Sequence, residues 1–505
     1  MLIARELMAP FMFGGLVVFL LIGYPVAFSL AAVGLFFGFI AIEQSFFPAA
    51  LLQALPARVF GIMANDLLLA IPFFTFMGAI LERAGLAEDL LEGIGQLFGP
   101  VRGGLAYAVI IVGAILGAIT GTVAASVIAM GVISLPIMMR YGYDMKVATG
   151  VIAAAGTITQ LIPPSLVLVV LADQLGKPVG DMYAGAIGPS IVQTLLFAAY
   201  ILLLSFIRPA AVPALPPEAR TLKGRALAMK VLWGMVPSVV LIFLVLGTIL
   251  MGLATPTEGG AMGAMGAIAL AAMHGRLTWK LTHEGMATTM RITAMVIFIL
   301  IGSTVFGLVF RGVDGDLWIE RLLTSLPGGV VGFLVFVNLF VFVLAFFLDF
   351  FEIAFIIIPL LAPVAAKLGI DLIWFGVLLG ANMQTSFMHP PFGFALFYLR
   401  GIAPREVKSS DIYWGALPWV GLQLILVAIL IFWPGLVTDF LPKAEMLDPS
   451  KVEIQLDPSL PAEAPQDSSG SSGDTPAPSR DPLAAPAERS TDTPPSADDL
   501  QRSFK

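Results

Sequence analysis

The chain has 505 residues, of which 58% are hydrophobic and only 12% are charged, with a formal net charge of −7 and a mean hydropathy of +0.94. Soluble domains usually carry about 25% charged residues, so this composition excludes a protein that is solvated over its whole surface. Cysteine is absent, which excludes disulfide bonds, thiolate catalysis and cysteine metal sites.

Apolar segments follow one another along most of the chain. A membrane-spanning helix needs roughly 20 mostly apolar residues, and the segments predict about 12 spanning elements. These elements must be helical, because lipid cannot satisfy open strands. The longest segments are expected to hold two helices or one broken helix. In chain order the segments are Phe11–Ile42, Leu67–Ile80, Leu105–Ile137, Val147–Ala172, Ile187–Ile207, Val231–Met251, Ile292–Phe310, Val330–Phe347, Ile353–Ala366, Ile373–Tyr398 and Trp414–Trp433.

Two polar stretches divide the chain. The segment 208–230 is rich in proline, arginine and lysine, and short basic loops stay on the cytoplasmic side. We therefore predict a first membrane repeat at 1–207, a cytoplasmic linker at 208–230 and a second membrane repeat at 231–442. Residues 443–505 are rich in Pro, Ala, Ser and Asp and are predicted to form a disordered tail, because such a segment buries too little apolar surface to fold.

The two halves resemble each other at a constant spacing. Five residues recur 227 positions later, and chance does not give five matches at one offset so close together. An odd number of crossings in each half makes such repeats inverted, as in secondary transporters that bind solute at the repeat interface. The predicted fold is an all-α polytopic membrane protein of two inverted repeats with re-entrant hairpins and broken helices. The repeated residues are Pro136, Gly142, Asp144, Pro163 and Pro164.

Each half carries a Pro-Pro pair inside an apolar segment, at Pro163–Pro164 and at Pro390–Pro391. Two successive prolines break a helix, and inside a membrane the freed carbonyls are tolerated only where they line a cavity or bind something. Hydroxyls, amides and free carbonyls suit Na⁺, so the pattern predicts two Na⁺ sites, with a structural kink as the alternative. The predicted ligands at the breaks are Thr157, Thr159, Pro163, Asn382, Thr385, Ser386 and Met388.

A third polar cluster interrupts an apolar segment between Thr120 and Ser126. We predict that Thr120 and Thr122 contribute to an ion site packed against the Thr157–Pro164 break. Close helix packing by small residues is the alternative.

The solute is predicted to lie where the two copies differ chemically. His389 replaces Ile162 and Phe392 replaces Ser165 at equivalent positions. His389 could touch the solute or carry a proton, but the scarcity of intramembrane acids and histidines favours Na⁺ over H⁺ coupling. The predicted solute-binding residues are Thr122, Ser165, Gln384, His389 and Phe392.

Three further sequence features predict a hairpin, the roles of the intramembrane acids and the absence of enzyme activity. A re-entrant hairpin is predicted at Asn65–Phe73, with its partner within Ile292–Phe310. Glu258 is predicted to cap a helix, and Asp349 and Glu352 are either functional or interfacial. The chain contains no phosphate-binding Gly-rich loop and no His-Glu-x-x-His motif, so we do not expect an enzyme.

In their order, several of these motifs resemble the large membrane subunit of tripartite ATP-independent periplasmic (TRAP) transporters, from about Leu16 to Leu436. The resemblance implies an elevator-type secondary transporter of the bacterial inner membrane with Na⁺ as coupling ion. It also implies two partners, namely a separate small four-helix membrane subunit and a periplasmic solute-binding protein that delivers a carboxylate-bearing solute. The motifs are Asn65–Pro72, Gly121–Ser126, Ile162–Ser165, Thr255–Glu258 and Pro390–Pro391.

The chain departs from the family pattern at Met388-His389 and at Phe392. These residues leave a C4-dicarboxylate, a 2-oxo acid and a lactate-like monocarboxylate open as substrates. A stand-alone Na⁺/organic anion symporter without a binding protein is the nearest alternative. A membrane enzyme or an assembly scaffold is the alternative from another class, and neither predicts two symmetric Pro-Pro breaks.

Overall fold

A computed structural model describes residues 4–120, 123–390 and 393–441, without the side chains of Leu86 and Thr120. All regular structure in these ranges is helical. The described residues contain eight helices that are long and apolar enough to cross a membrane, or ten when each of two bent pairs counts as one span. The chain is therefore a multi-pass membrane protein. The predicted total of about 12 elements also counted segments whose helices are too short for this criterion.

The described part of the first half contains eleven α-helices. Their boundaries agree with the expectation that the long apolar windows hold two helices each, because Phe11–Ile42 and Leu105–Ile137 are both divided. The helices are α1 Arg5–Ile22, α2 Val26–Glu43, α3 Ala50–Gln53, α4 Leu55–Met63, α5 Ala70–Arg83, α6 Leu86–Leu97, α7 Gly104–Thr120, α8 Val123–Arg140, α9 Met145–Thr157, α10 Leu166–Leu175 and α11 Val179–Ile207.

The described part of the second half contains twelve α-helices. Two π-helical segments, Phe243–Gly247 and Ile353–Ile357, continue into α13 and α19. The helices are α12 Gly224–Ile242, α13 Thr248–Leu250, α14 Pro256–Met273, α15 Trp279–Gly312, α16 Gly315–Thr324, α17 Gly329–Leu344, α18 Phe350–Glu352, α19 Ile358–Lys367, α20 Leu372–Met383, α21 Phe394–Ile402, α22 Ser409–Phe432 and α23 Gly435–Thr438.

Elements of the two halves recur at nearly constant spacing. Helices α2 and α14 begin 230 positions apart, α9 and α20 begin 227 apart, and α11 and α22 begin 230 apart. The repeated aspartates have the same role, because Asp144 accepts from the N–H of Lys146 and Asp371 accepts from the N–H of Trp374. Each caps the helix that leads to a Pro-Pro pair. The domain boundaries at 207, 230 and 442 stay predictions, and the predicted tail lies outside the described residues.

The halves differ in one long element. In the first half, Ala50–Met63 and Asp66–Arg83 meet at a bend of 49°. The equivalent element, α15, is a single helix of 34 residues. The hairpin predicted within Ile292–Phe310 is therefore wrong. Asn65 starts a new turn by accepting from the N–H of Leu67, whereas Met295 stands 230 positions later in α15 and has no side-chain oxygen that could cap a turn.

The basic linker is held against the first half by backbone hydrogen bonds. Gly103 donates to Val212 at 2.9 Å, Asp144 donates to Ala211 at 3.0 Å and Leu215 donates to Gly99 at 2.9 Å. The starts of α7 and α9 therefore lie on the same side of the protein as the linker.

Two apolar clusters form the interior. One includes buried residues of α1, α2, α5, α10, α15, α17, α19 and α20, and the other includes residues of α6 to α9 and α21. Helices α11 and α22 contribute to both clusters, with Met182 and Leu426 in the first and Phe197 and Trp419 in the second. These two helices therefore connect the clusters. Large apolar side chains such as Phe206 and Phe432 are exposed at the outer surface, as expected for contact with lipid.

Candidate functional site

A helix is interrupted at each place where the sequence predicts a break, although Pro391 itself lies outside the described residues. In the first half, α9 ends at Thr157, a 3-10 turn covers Ile158–Gln160, and α10 begins at Leu166. In the second half, α20 is followed by a 3-10 turn at Gln384–Phe387, and α21 begins at Phe394. Proline cannot donate to the preceding turn, so the α-helical ladder ends before each pair. We call these segments, 157–165 and 384–390, the first break and the second break.

Three hydroxyl groups of the first break are fully buried. Thr157 donates through Oγ1 to the carbonyl of Ala154 at 2.9 Å, and Thr159 donates to Gly156 at 3.0 Å. Ser165 donates to the carbonyl of Gln160 at 2.6 Å and accepts from the N–H of Val167, which caps α10. Each hydroxyl has two lone pairs, so Thr157 and Thr159 retain acceptor capacity. Pro163 is buried among them.

The second break has the same chemistry with an added amide. Thr385 donates to the carbonyl of Asn382 at 2.7 Å, and Ser386 donates to Met383 at 2.7 Å. Asn382 donates through Nδ2 to the backbone carbonyl of Asn338 on α17 at 2.7 Å. Its Oδ1 is buried and has no hydrogen-bond partner among the described residues. This oxygen is therefore free to accept from a ligand or to coordinate a cation.

The two breaks meet at residues from opposite halves. Oγ1 of Thr157 lies 3.5 Å from Sδ of Met388, and both residues have no exposed surface. The geometry thus brings together two residues predicted as ion ligands from different repeats.

Helices α7 and α8 pack closely on the first break. A Cβ at Gly117 of α7 would lie 2.8 Å from Cα of Thr159, and a Cβ at Gly156 would lie 3.1 Å from the backbone N of Val127 on α8. Contacts this short are open only to glycine, so the backbones themselves touch. The C-terminal turn of α7, which ends at Thr120, is beside the first break. Gly121 and Thr122 lie outside the described residues.

His389 is enclosed by aromatic rings. Its ring stacks on Phe346 at a centroid distance of 4.1 Å and meets the edge of Phe342 at 4.4 Å. Only 1% of its surface is exposed, and neither ring nitrogen makes a hydrogen bond among the described residues. A buried imidazole without a partner is ready to bind one. Phe392, the other departure from the first-half pattern, lies outside the described residues.

The acidic residues near the site cap helices. Asp349 accepts from the N–H of Glu352 at 2.9 Å, and Glu352 accepts from the N–H of Asp349 at 3.0 Å, so the pair closes the first turn of α18. Glu258 forms the same kind of box with Thr255 at the start of α14, as predicted.

The sequence reading did not identify three polar residues at the breaks: Gln193, Asn338 and Gln423. Gln193 on α11 exchanges two hydrogen bonds with Gln384, and Gln423 on α22 donates to Oγ1 of Thr157 at 3.1 Å. A repeated motif could have revealed the glutamines. Asp-x-Tyr-x-Gly-Ala followed by six residues and Gln occurs at 181–193 and again at 411–423.

A polar cavity of about 570 Å³ is lined by Asp173 and Gln174 at the C-terminal end of α10, the helix that follows the first break. It separates α4 and α15 from α10, α16 and the Ile353–Lys367 region. Charged and polar side chains line it from both sides, including Arg58, Asn65, Asp173, Ser303, Arg311 and Asp316.

Comparison with known proteins identifies the family. Residues 13–436 match the family model of the tripartite ATP-independent periplasmic transporter, DctM component. The chain is 29% identical over 385 residues to the C4-dicarboxylate TRAP transporter large permease protein DctM of Pseudomonas aeruginosa, covering 76% of this chain and 88% of that one. It is 26% identical to the 2,3-diketo-L-gulonate TRAP transporter large permease protein YiaN of Escherichia coli, covering 82% and 95%.

A solved structure has a similar fold. The YdaH transporter of Alcanivorax borkumensis, whose crystal structure has an unusual topology, superposes with a TM-score of 0.55 at 18% identity, covering 78% of this chain and 90% of that one. The family match spans both breaks and both long helices that contact them. The chain therefore belongs to the DctM family and is a large membrane subunit of a TRAP transporter.

Proposed function

We propose that this subunit performs Na⁺-coupled uptake of a carboxylate-bearing solute across a bacterial inner membrane. The observation that carries the proposal is the meeting of two buried helix breaks, at Thr157 and Met388, where hydroxyls and proline-freed carbonyls collect. Neutral oxygens at unwound helix segments are the ligands with which secondary transporters bind Na⁺.

We assign one Na⁺ to each break. The first site would use the hydroxyls and carbonyls of the first break together with the end of α7, and the second site would use the equivalent groups of the second break. An anionic solute would lie between the ions, facing the N-termini of α10 and α21, which carry positive partial charge. The first site comprises Thr120, Thr122, Thr157, Thr159 and Pro163, and the second comprises Asn382, Thr385, Ser386 and Met388.

The solute class is supported by the relatives. Their names specify C4-dicarboxylates, 2,3-diketo-L-gulonate and, in Oleidesulfovibrio alaskensis at 27% identity, isethionate. All are small organic anions. We propose an organic acid here, with a C4-dicarboxylate, a 2-oxo acid and a lactate-like acid as the candidates.

We propose that transport uses an elevator movement of the breaks and the helices around them against α2, α4, α5, α14 and α15. The polar cavity supports a boundary between moving parts at this place, since an interface that must slide is more readily wetted than a closed apolar core. The partners would be a small four-helix membrane subunit and a periplasmic binding protein that delivers the solute.

Reconstitution tests the whole proposal. Proteoliposomes that contain this chain and its small subunit should accumulate an organic acid only when its binding protein and an inward Na⁺ gradient are both present. Accumulation without any binding protein would instead support a stand-alone symporter.

Replacing His389 by phenylalanine should raise the KM for the solute by at least about tenfold and leave the Na⁺ concentration for half-maximal uptake unchanged. The variant keeps the stacking on Phe346 but removes the ring nitrogens, and a hydrogen bond to a charged group contributes about 1.5–3 kcal/mol. Uptake kinetics at saturating Na⁺ measure the KM. An unchanged KM would exclude His389 from the solute site.

The orientation can be tested by labelling, because the chain has no native cysteine. A thiol at Glu218 in the linker should react with an impermeant maleimide only from the cytoplasmic side. A thiol at Ser325 should react only from the periplasmic side, because we count α12 with α13, then α14, then α15 as three crossings between it and the linker. Both positions are exposed. Equal labelling of both from one side would contradict the proposed topology.

A further inference from the structure

Two buried glutamines form hydrogen bonds to the breaks. One lies on α11 and the other on α22, the long helices that come after the two breaks in the chain. Gln193 on α11 and Gln423 on α22 stand 230 positions apart, at the same place in the repeated Asp-x-Tyr-x-Gly-Ala motif. Neither has any exposed surface. Burying a primary amide is costly unless its polar atoms are hydrogen-bonded, so the partners of these two side chains matter.

Gln193 contacts the second break. Its Nε2 donates to Oε1 of Gln384 at 2.7 Å, and Nε2 of Gln384 donates back to Oε1 of Gln193 at 3.2 Å. Gln384 is the first residue of the 3-10 turn that replaces the α-helix. One turn earlier on α11, Ser190 donates to the carbonyl of Leu161 in the first break at 2.9 Å. A single helix of the first half therefore contacts both breaks.

Gln423 makes the reciprocal contact. Its Nε2 donates to Oγ1 of Thr157 at 3.1 Å and lies 3.8 Å from Sδ of Met388. Thr157 precedes Gln384 by 227 positions, so the two glutamines of the long helices contact equivalent residues. A glutamine of each half thus forms a hydrogen bond to the break of the other half.

The contact of Gln423 orients the hydroxyl of Thr157. The single proton of Thr157 is directed to the carbonyl of Ala154 or to Met388, and one oxygen lone pair accepts from Gln423. The other lone pair is left for a cation. Oε1 of Gln423 is buried and unpartnered among the described residues, whereas both polar groups of Gln193 are engaged. At the first break, Oε1 of Gln423 is therefore still available to a ligand.

We propose that Gln193 and Gln423 are positioning residues that link the two ion sites. A cation at one break fixes the hydroxyls and carbonyls of that break, and the glutamine contact from the opposite half carries this ordering to the other break. Binding at the two sites is then positively cooperative. This inference rests on the proposed Na⁺ sites, but it adds residues and a coupling that those sites do not require.

The test is the thermal stability of the purified full-length chain titrated with NaCl at constant ionic strength against KCl. A ligand that binds the folded state raises the midpoint of unfolding with its concentration. The unmodified chain should show a Na⁺-specific, sigmoidal rise. Gln423→Met and Gln193→Met keep side-chain length but lose the amide. Each should raise the half-saturating Na⁺ concentration by about fivefold and lower the Hill coefficient toward one.

A double-mutant cycle separates positioning from simple packing. Gln423→Met and Thr157→Val should be non-additive in their effect on the half-saturating Na⁺ concentration, because either change alone breaks the same contact. If Gln423→Met does not purify as a folded chain, Gln423→Asn replaces it with the same expectations, since the shorter side chain withdraws the amide from Thr157.

Ser205→Ala is the matched control. Ser205 is also buried on α11, but among the described residues its hydroxyl bonds only to Leu202 in its own helix, so the Na⁺ response should stay unchanged. If the glutamine variants have the same half-saturating Na⁺ concentration and Hill coefficient as the unmodified chain, the proposed link between the ion sites is wrong. That result would not contradict the proposed Na⁺-coupled transport. Absence of any Na⁺-specific rise in the unmodified chain would instead contradict Na⁺ coupling, and the link with it.

Discussion

Replacing Thr385 by valine is expected to raise the Na⁺ concentration for half-maximal uptake by at least about tenfold. Valine has nearly the same shape as threonine but replaces the hydroxyl with a methyl group. The side chain of Thr385 is fully buried in the second break and donates to the backbone carbonyl of Asn382, whose own Oδ1 has no partner among the described residues. Loss of one oxygen ligand to a charged ion costs about 1.5–3 kcal/mol, which corresponds to at least a tenfold change in affinity.

Thr75→Val is the control for this substitution. Thr75 is a buried threonine on α5 that donates to the carbonyl of Ile71 at 2.7 Å, the same kind of intrahelical bond that Thr385 makes to Asn382. Its replacement removes a hydroxyl at a distance from both breaks, so the Na⁺ titration curve should not move. Equal Na⁺ curves for Thr385→Val and the unmodified subunit in proteoliposomes would remove Thr385 from the ion site.

Adding one methyl group at Gly117 should destabilise the protein strongly. The new Cβ would lie 2.8 Å from Cα and 3.0 Å from Cγ2 of Thr159, so α7 must move away from the first break. Overpacking of this kind usually costs about 1–3 kcal/mol, and the displaced contact is backbone, which adapts poorly. Gly117→Ala should therefore lower the midpoint of thermal unfolding in detergent and reduce Na⁺-driven uptake.

Gly421→Ala on α22 is the control, because the added methyl group would meet no neighbouring atom there. No heavy atom lies within 4 Å of a Cβ placed there, and alanine is favoured over glycine inside a helix by about 1 kcal/mol. Gly421→Ala should therefore preserve or raise the unfolding midpoint. If both variants behave alike, the close packing of α7 on the first break is not important for stability.

Local chemistry made the breaks predictable from sequence. Two successive prolines end a helix wherever they occur, and the aspartates that cap α9 and α20 are visible as a repeat. The capping role of Glu258 was predictable for the same reason, since all its partners lie within one turn. Predictions of this kind need only residues close together in the chain.

Contacts between distant residues were not predictable. Gln193 and Gln423 lie in long, mostly apolar helices, and only the fold shows that each contacts the opposite half. The hairpin in Ile292–Phe310 was wrong because it was inferred from its first-half equivalent, although it lacks the Asn cap that bends that element. The ligand assignments at the breaks stay predictions.

The second half also has a polar contact that the first half lacks. Asn338 and Asn382 are hydrogen-bonded between α17 and α20, whereas the first-half contact between α7 and α9 at this depth joins Gly113 to Ala155. Asn382 stands 227 positions after Ala155, and Asn338 stands 225 positions after Gly113. The repeat predicts similar backbones, but it does not predict which copy has acquired an amide.

The bend that occurs in only one half has a consequence for the resting state. We have proposed a transporter built from inverted repeats, and in such a transporter the inward-open and outward-open forms would be related by exchange of the conformations of the two copies. Identical copies would give both forms the same free energy. Here one copy has a 49° bend and the other a straight helix of 34 residues, so exchange does not regenerate an equivalent molecule. Without solute, the subunit should therefore populate either the inward-open or the outward-open form more than the other. Solute delivery would then start more often from the side to which that form is open.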